Sequence, residues 1–560
     1  MGIFLLSTFF LTVEAAADLM QPTFMAYIVD EGVKGGSMAA ILRCGAVMVC
    51  IAAAGAGGAV MRNLFASRTS QTIAKEMRSD LYRKVQSLSL ENIDRLQTGS
   101  IITRITNDVS QVQEFVNGCM RIMVKAPITC IGAVVLILIQ TPRQMPMILL
   151  ILTVTACLIA ANMRRGYPRF GRMQQKLDKL NSVSREFLLS VRVVKAFRAE
   201  GLETEKFEAA SEDLADAGEA AMRVMAVFSP LINLTVNLGI VVLLWVSQRS
   251  DAAQIGRLMA SVNYMTQMLF ALGLFSNILN TAVRAMASSA RIEEILQEKS
   301  AQRTPAHPLR PDIRGDVRFE DVSFTYRGAG RESLRHVSFH APAGETVGII
   351  GPTGSGKTTL VNLVPRLYDA GEGRVLLDGA DVQQVDEKLL RAAVAVVPQK
   401  ALLFSGTVAD NLRWGRQDAD SAALRRAAEI ACADSFIASS ENGWDTWLGQ
   451  GGVNLSGGQK QRLALARALV RAPRVLILDD CTSALDAQTE SAVLHRLQEN
   501  CREMTVLLIS QRISTVMRAG RILCLADGAV QGFGTHEELM ASCPTYRQIY
   551  ASQIGGDDRG

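Results

Sequence analysis

Nine consecutive residues carry the plainest chemistry in the chain: Gly351, Pro352, Thr353, Gly354, Ser355, Gly356, Lys357, Thr358 and Thr359. The apolar run 346–350 precedes them and a helical stretch follows. In that context the spacing is one that wraps phosphates. The glycines let backbone N–H groups turn inward, Lys357 reaches the β and γ phosphates, and the Thr358 hydroxyl suits Mg2+. Further on, the run 475–478 is continuously apolar, as a strand buried on both faces of a parallel sheet must be. It ends in Asp479 and Asp480. Asp479 would stand at the carboxyl end of that strand, where such sheets bind ligands, and is a candidate Mg2+ ligand through water. Between these lie Leu455, Ser456, Gly457, Gly458 and Gln459, opening a helical run. A hydroxyl and free backbone N–H groups there could face an anion. An ordinary capped helix fits the same spacing, and both readings stay open.

These residues need a scaffold, and composition indicates two kinds. The 560 residues are 49% hydrophobic and 20% charged, too apolar for an ordinary soluble protein and too charged for a purely membrane one. Apolar residues concentrate before about residue 290 and charges rise after it, so the chain divides into a membrane half and a soluble half. The net charge of +5 fits a positive-inside membrane protein; nucleic-acid binding is not expected, because no compact basic-aromatic stretch occurs. Ten Cys stand without CxxC or Cys/His ligand spacing, several of them (Cys44, Cys50, Cys130, Cys157) in apolar runs. Buried free thiols are expected, rather than disulfides or a zinc site. The first apolar stretch lacks a basic start and holds Glu14 and Asp18, unlike a cleavable signal.

Six stretches come near the ~20 apolar residues a bilayer requires: 3–27, 39–62, 119–140, 144–163, 224–247 and 258–286. Arg62, Arg68, Lys75 and Arg78 follow the second, and Arg164, Arg165, Arg169 and Arg172 the fourth. Both loops, and both chain ends, should therefore be cytoplasmic, in a multi-pass plasma (inner) membrane protein. Segments 63–118 and 164–223 read as helices continuing into the cytoplasm, with 88–94 and 190–197 as contact elements. Glu14 and Asp18 share one helix face and read as a cation-attracting cavity lining, or as acids solvated near an interface. Arg121 and Lys125, equally spaced, read as snorkelling cations. Asn263, Tyr264, Gln267, Asn277 and Asn280 suit an adaptable amphipathic cavity or a packed helix interface.

The phosphate-wrapping loop, 455–459 and 475–480, in this order behind six spans, resemble an ATP-binding cassette (ABC) exporter across nearly the whole chain. The resemblance implies a type I ABC exporter fold. An α-helical six-span transmembrane domain (1–292) leads through a linker (293–316) to an α/β P-loop cassette (317–553) and a tail (554–560). It implies ATP and Mg2+ as ligands. Tyr326 takes the place of the aromatic that stacks on adenine, Gln399 that of the Q-loop glutamine and Mg2+ ligand, and 455–459 that of the signature. Asp486, in 483–486, takes the place of the D-loop aspartate. Two cassettes sandwich two ATP molecules, each site pairing one chain's P-loop with the other's signature. Helices at the ends of the cytoplasmic extensions dock on the cassettes, one of them on the partner's.

Four departures from that pattern shape the functional reading. Residues 449–452 stand where an X-loop would lie but lack its Glu. The family's amphipathic helix before the first span has no counterpart after Met1, which leaves either a start read late or a subunit without that anchor. Asp480 stands where a catalytic Glu would be expected, and Gln511 where a switch His would be. Together these two catalytic positions resemble the degenerate subunit of bacterial heterodimeric multidrug exporters. A homologous half-transporter would then carry the competent catalytic residues, and this chain would lend it an intact signature. A slow homodimer and a nucleotide-gated regulatory or channel-like subunit are the alternatives, the last disfavoured because no long regulatory insert or tail is seen. Fusion of cassette to spans favours export over import.

Overall fold

The computed structural model describes residues 2–142, 145–247, 255–302 and 305–554. It separates into two compact units, Met1–Gln86 with Gly99–Glu298, and Ser87–Thr98 with Lys299–Gly560.

The first unit is helical. Five described stretches are long and apolar enough to cross a membrane: Gly2–Val33, Met38–Ser87, Thr98–Gln140, Met145–Phe197 and Glu200–Val242. The sixth expected span falls in the helix Ile255–Gln297; the side chains of Asn277 and Asn280 lie outside the described residues. Helix Met145–Phe197 has 53 residues, about 80 Å at 1.5 Å per residue. A hydrocarbon core is about 30 Å thick, so more than half of this helix projects beyond it. The 50-residue Met38–Ser87 and 48-residue Glu200–Ser247 overshoot in the same way. At the far end of the longest helix Leu189 and Phe197 are 83% and 80% exposed.

Three helices, Gly2–Tyr27, Lys125–Gln140 and Ile255–Gln297, close around Tyr264. That residue is fully buried; its hydroxyl shares a hydrogen with Thr23 Oγ1 at 2.5 Å and lies 3.0 Å from the Leu19 carbonyl. Tyr264 is thus a packing residue, whereas Gln267, one turn on, lines a cavity. The acids of the first span are not a free cation-attracting pair. Glu14 is buried against Arg62 at 3.0 Å and Lys125 at 2.6 Å, and Lys125 also reaches Asp18 at 2.8 Å. Burying a carboxylate without partners is expensive, so Arg62, read as flanking, and Lys125, read as snorkelling, turn inward to meet the acids, whereas Arg121 stays exposed. The cysteines also differ from expectation: all ten are free, but Cys50 and Cys157 are exposed and only Cys481, Cys524 and Cys543 are buried.

The second unit contains two main sheets. Val317–Phe324 lies antiparallel between Leu334–Ala341 and Glu372–Leu377, with Phe319 stacked on Phe339 at 4.7 Å. The larger sheet runs Ala529–Gly534, Arg521–Ala526, Thr346–Ile350, Thr505–Ile509, Val475–Asp479, Val394–Val397. It is parallel except at the antiparallel edge strand Ala529–Gly534. All five residues of Val475–Asp479 are buried, as the uninterrupted apolar run requires. The short helix Leu90–Leu96 belongs to this unit. There the Tyr368 hydroxyl donates to Asp94 Oδ2 at 2.6 Å, and the Asn92 side chain bonds Lys299 O and Ala301 N at 3.0 and 2.9 Å.

Candidate nucleotide-binding site

Strand Thr346–Ile350 ends between two parallel neighbours, and the chain turns through 351–356 into helix Lys357–Leu363. Glycine is needed at two points of that turn. A Cβ on Gly351 would stand 1.9 Å from Leu525 O. Gly356 has φ +94°, and a Cβ there would stand 2.6 Å from Ser333 O. Lys357 bends back over the loop, its Nζ donating to Gly351 O at 2.9 Å, Pro352 O at 2.8 Å and Ser355 Oγ at 3.3 Å. Burial holds its ammonium below the usual lysine range, against the pull of Asp480 and Asp479. A cavity of about 520 Å3 opens over Gly354–Thr359, with Arg331 and Arg335 on its wall. A loop of backbone N–H groups with three cations around it fits a polyphosphate.

Asp479 and Asp480 come to this loop from the neighbouring strand end. Thr358 Oγ1 donates to Asp479 Oδ1 at 3.0 Å. Burial pushes the Asp479 carboxyl up, Thr358 opposes this, and Asp480 adds to it. Asp480 is 6% exposed and sits in the left-handed region at φ +47°, its N–H donating to Ile509 O at 3.0 Å. Its Oδ2 accepts from Gln399 Nε2 at 3.0 Å and from Gln511 Nε2 at 3.0 Å. The structure therefore gathers 351–359, Gln399, Asp479, Asp480 and Gln511 into one place. The Thr358 hydroxyl and the desolvated Asp479 carboxylate beside it offer oxygens suited to Mg2+. Among the described residues no group of three or more His, Cys, Asp or Glu could hold a metal ion. Tyr326 is beside the loop, its hydroxyl 3.2 Å from Thr359 Oγ1.

Residues 455–459 lie elsewhere. Ser456 caps helix Gly457–Val470 with a capping box, Ser456 Oγ accepting from Gln459 N at 3.3 Å and Gln459 Oε1 from Ser456 N at 2.9 Å. The helix bears on the segment 483–486: Gln461 Oε1 accepts from Ala484 N at 3.1 Å. Asp486 caps the next helix, Ala487–Asn500, through Thr489 N at 2.8 Å, which holds its carboxyl below the usual range.

Two domains of this design, in this order, match known proteins. Residues 4–272 match the ABC transporter transmembrane region, and residues 334–483 match the ABC transporter family. The uncharacterized ABC transporter ATP-binding protein YfiB of Bacillus subtilis is 37% identical over 545 residues, 97% of this chain and 95% of its own. The chain belongs to the ABC transporter family. An ATP-dependent lipid A-core flippase of Vibrio vulnificus is 32% identical over 493 residues, 87% of this chain and 84% of its own. A bacterial Atm1-family ABC exporter with ATP bound aligns with a TM-score of 0.80 at 27% identity, over 98% of this chain and 97% of that one. The transporter is an exporter half with a cassette that binds ATP, and the family's ATPase activity is coupled to transport.

The cassette also holds site residues that no motif announced. Glu490, 6% exposed, accepts from Thr482 Oγ1 at 2.7 Å and Thr515 Oγ1 at 2.9 Å, and its other oxygen pairs with Arg512 at 2.8 Å. Arg512 also donates to Ser483 O at 3.2 Å. Gln553, at the end of helix Pro544–Gln553, donates to Gln511 O at 2.7 Å and accepts from Ile513 N at 2.8 Å. The position of Arg512 beside Gln511 was a signal; nothing near Glu490 or Gln553 marks them.

Proposed function

We propose that this chain is one half of a heterodimeric, six-span ATP-driven exporter of amphipathic small molecules in the cell's inner membrane. Its own site holds ATP and hydrolyses it poorly. The observation that carries this reading is the Asp480 carboxylate fixed between the neutral amides of Gln399 and Gln511. In-line attack on the γ-phosphoryl group needs a carboxylate about 2.6–3.2 Å from the attacking water. Asp is one carbon–carbon bond, about 1.5 Å, shorter than Glu, and misplacement by ~1 Å can cost ~10²-fold. Gln511 can donate a hydrogen bond but carries no charge, so it lacks the charge-assisted strength of a protonated His.

The residues assigned to holding ATP are the loop 351–359 for the phosphates, Lys357 as its cation and Tyr326 for the adenine ring. Mg2+, when bound, neutralises phosphate charge, and Thr358, Asp479 and Gln399 are the oxygens this chain offers it. Residues 455–459 and Asp486 are assigned to the site completed on the partner. Two observations support pairing with a second half. Ser456 and Gly457 are exposed, leaving the signature accessible. Leu188, Leu189, Val193 and Phe197 are uncovered where their helix overshoots the bilayer, which suits docking on a partner cassette. The membrane domain is taken as 1–292 and the cassette as 317–553.

The test is ATP turnover by the purified chain alone and by the assembly with its co-purified partner. Slow turnover alone and fast turnover together are expected. Fast hydrolysis by this chain alone would sink the heterodimer reading.

A further inference from the structure

The strongest unassigned feature is a cavity of about 250 Å3 in the membrane unit. It lies between helices Gly2–Tyr27, Lys125–Gln140 and Ile255–Gln297. Asp18, Arg121, Lys125, Thr129, Gln267 and Phe270 are on its walls. We propose that this cavity is a subsite for the anionic head of an amphiphile, with Arg121 as the cation that receives it. The proposal rests on the exporter reading and names a substrate class for it.

Charge gives the sign. Arg62, Arg121 and Lys125 contribute three positive charges around the cavity, and Glu14 and Asp18 two negative ones, leaving one positive. The two acids are taken: Glu14 by Arg62 and Lys125, Asp18 by Lys125. Arg121 makes no side-chain hydrogen bond or ion pair among the described residues. Arg121 is exposed on the cavity wall, and an unpaired cation there attracts an opposite charge and repels a like one. A cationic ligand would face Arg121 without a free acid to offset it.

Hydrogen bonding gives a second, independent indication. Helical Thr side chains in this unit commonly bond the carbonyl four residues back, as Thr153, Thr155 and Thr235 do. Thr129 does not. It is 6% exposed, and its Oγ1 has no partner. Gln267 Oε1 is also buried without a partner, although its Nε2 donates to Asp18 O at 3.2 Å. Buried polar atoms are normally satisfied, and here two unsatisfied ones line one cavity. Thr129 can donate to an anionic oxygen. Gln267 can accept from a hydroxyl or amide N–H on the same head. Phe270 and Leu274 are 70% and 48% exposed on the cavity wall and suit an alkyl or aryl tail.

The experiment is equilibrium binding to the full chain, with its co-purified partner, in lipid nanodiscs without nucleotide. Empty nanodiscs supply the background. The probes are octyl phosphate, octyltrimethylammonium and inorganic phosphate. Octyl phosphate should bind about tenfold tighter than octyltrimethylammonium, Arg121→Gln should erase that preference, and Arg121→Lys should restore most of it. Thr129→Val should weaken octyl phosphate a few-fold by removing one hydrogen bond. If Arg121→Gln does not fold, Thr129→Val and Gln267→Leu carry the test alone. Equal binding of the two amphiphiles, or octyl phosphate binding unmoved by every variant, overturns the proposal. Inorganic phosphate binding as tightly as octyl phosphate overturns the amphiphile class. Failure of the exporter reading is separate: it would appear as no ATP-driven movement of any probe while the head preference persists.

Discussion

Asp480 combines three constraints, and each bears on what replacing it would do. Its backbone is left-handed, a region that Asp and Asn visit more readily than Glu. Its carboxylate accepts from two amides, and it is buried. Asp480→Asn fits the backbone and keeps an acceptor oxygen. In the assembled transporter it should leave most ATP turnover intact, whereas loss of a working general base costs ~10²–10⁴-fold. A steady-state ATPase assay separates the two. Asp480→Glu with Gln511→His supplies the longer carboxylate and the titratable donor together. That pair should raise turnover by the chain alone by ~10²-fold, less whatever the left-handed backbone withholds; no increase would show that the two side chains are not the limitation. Glu490 gives a further case. Glu490→Gln keeps acceptors for Thr482 and Thr515 but removes the charge facing half-exposed Arg512. A cost of about 1–2 kcal/mol follows, read as a melting midpoint lowered by several degrees in the purified transporter. The contrast explains what the sequence could disclose. The loop 351–359 and Asp479–Asp480 are legible because backbone geometry and phosphate chemistry restrict residue type at fixed spacing. Glu490 and Gln553 act mainly through contacts 22 to 42 residues away in sequence, Thr482 being the one nearer partner of Glu490, and no local pattern records them.

At the scale of elements, hydropathy gave the helices and little about their partners. The runs 3–27 and 39–62 became helices Gly2–Tyr27 and Met38–Ser87, and the length beyond a bilayer was readable from periodicity. Periodicity alone left 88–94 as a contact element without a named partner, the resemblance implied docking on a cassette, and 87–98 does group with this chain's own cassette. In the structure Leu90–Leu96 reaches the cassette's aromatic cluster. Tyr368 donates to Asp94 and stands edge-on to Tyr326, ring centroids 5.3 Å apart at 85°. Burial pushes the Tyr368 phenol well above its usual range, and the Asp94 carboxylate pushes the same way. The hydroxyl is therefore protonated, and a donor, at any physiological pH. Because Tyr326 also meets Thr359 of the phosphate loop, the chain of contacts runs from the short helix Leu90–Leu96 to the proposed adenine position. Tyr368→Phe removes one hydroxyl and keeps the ring. It should preserve ATP affinity while reducing the stimulation of ATPase by transported compounds. Equal loss of both would mean that Tyr368 only supports the fold.

For the whole molecule, the issue is whether the two nucleotide sites of an assembled transporter behave alike. This chain's site combines a complete phosphate loop, a Thr358–Asp479 pair and a carboxylate held by neutral amides. On the proposed reading, such a site holds its nucleotide and cleaves it slowly. A partner site completed by exposed 455–459 has no such handicap from this chain. Turnover should therefore be confined to one site while the other keeps its nucleotide through many cycles. Binding to the folded state alone stabilises by about 2.7 kcal/mol at 100 times Kd, so a nucleotide retained as proposed would also clamp the folded cassette. Assembly loaded with labelled ATP and chased with unlabelled ATP should keep close to one labelled nucleotide per dimer, recovered as ATP. Recovery as ADP would mean that this site hydrolyses. Complete exchange would mean that it does not hold. Lys357→Ala in this chain should abolish the retained label, while a measurable fraction of partner-site turnover survives.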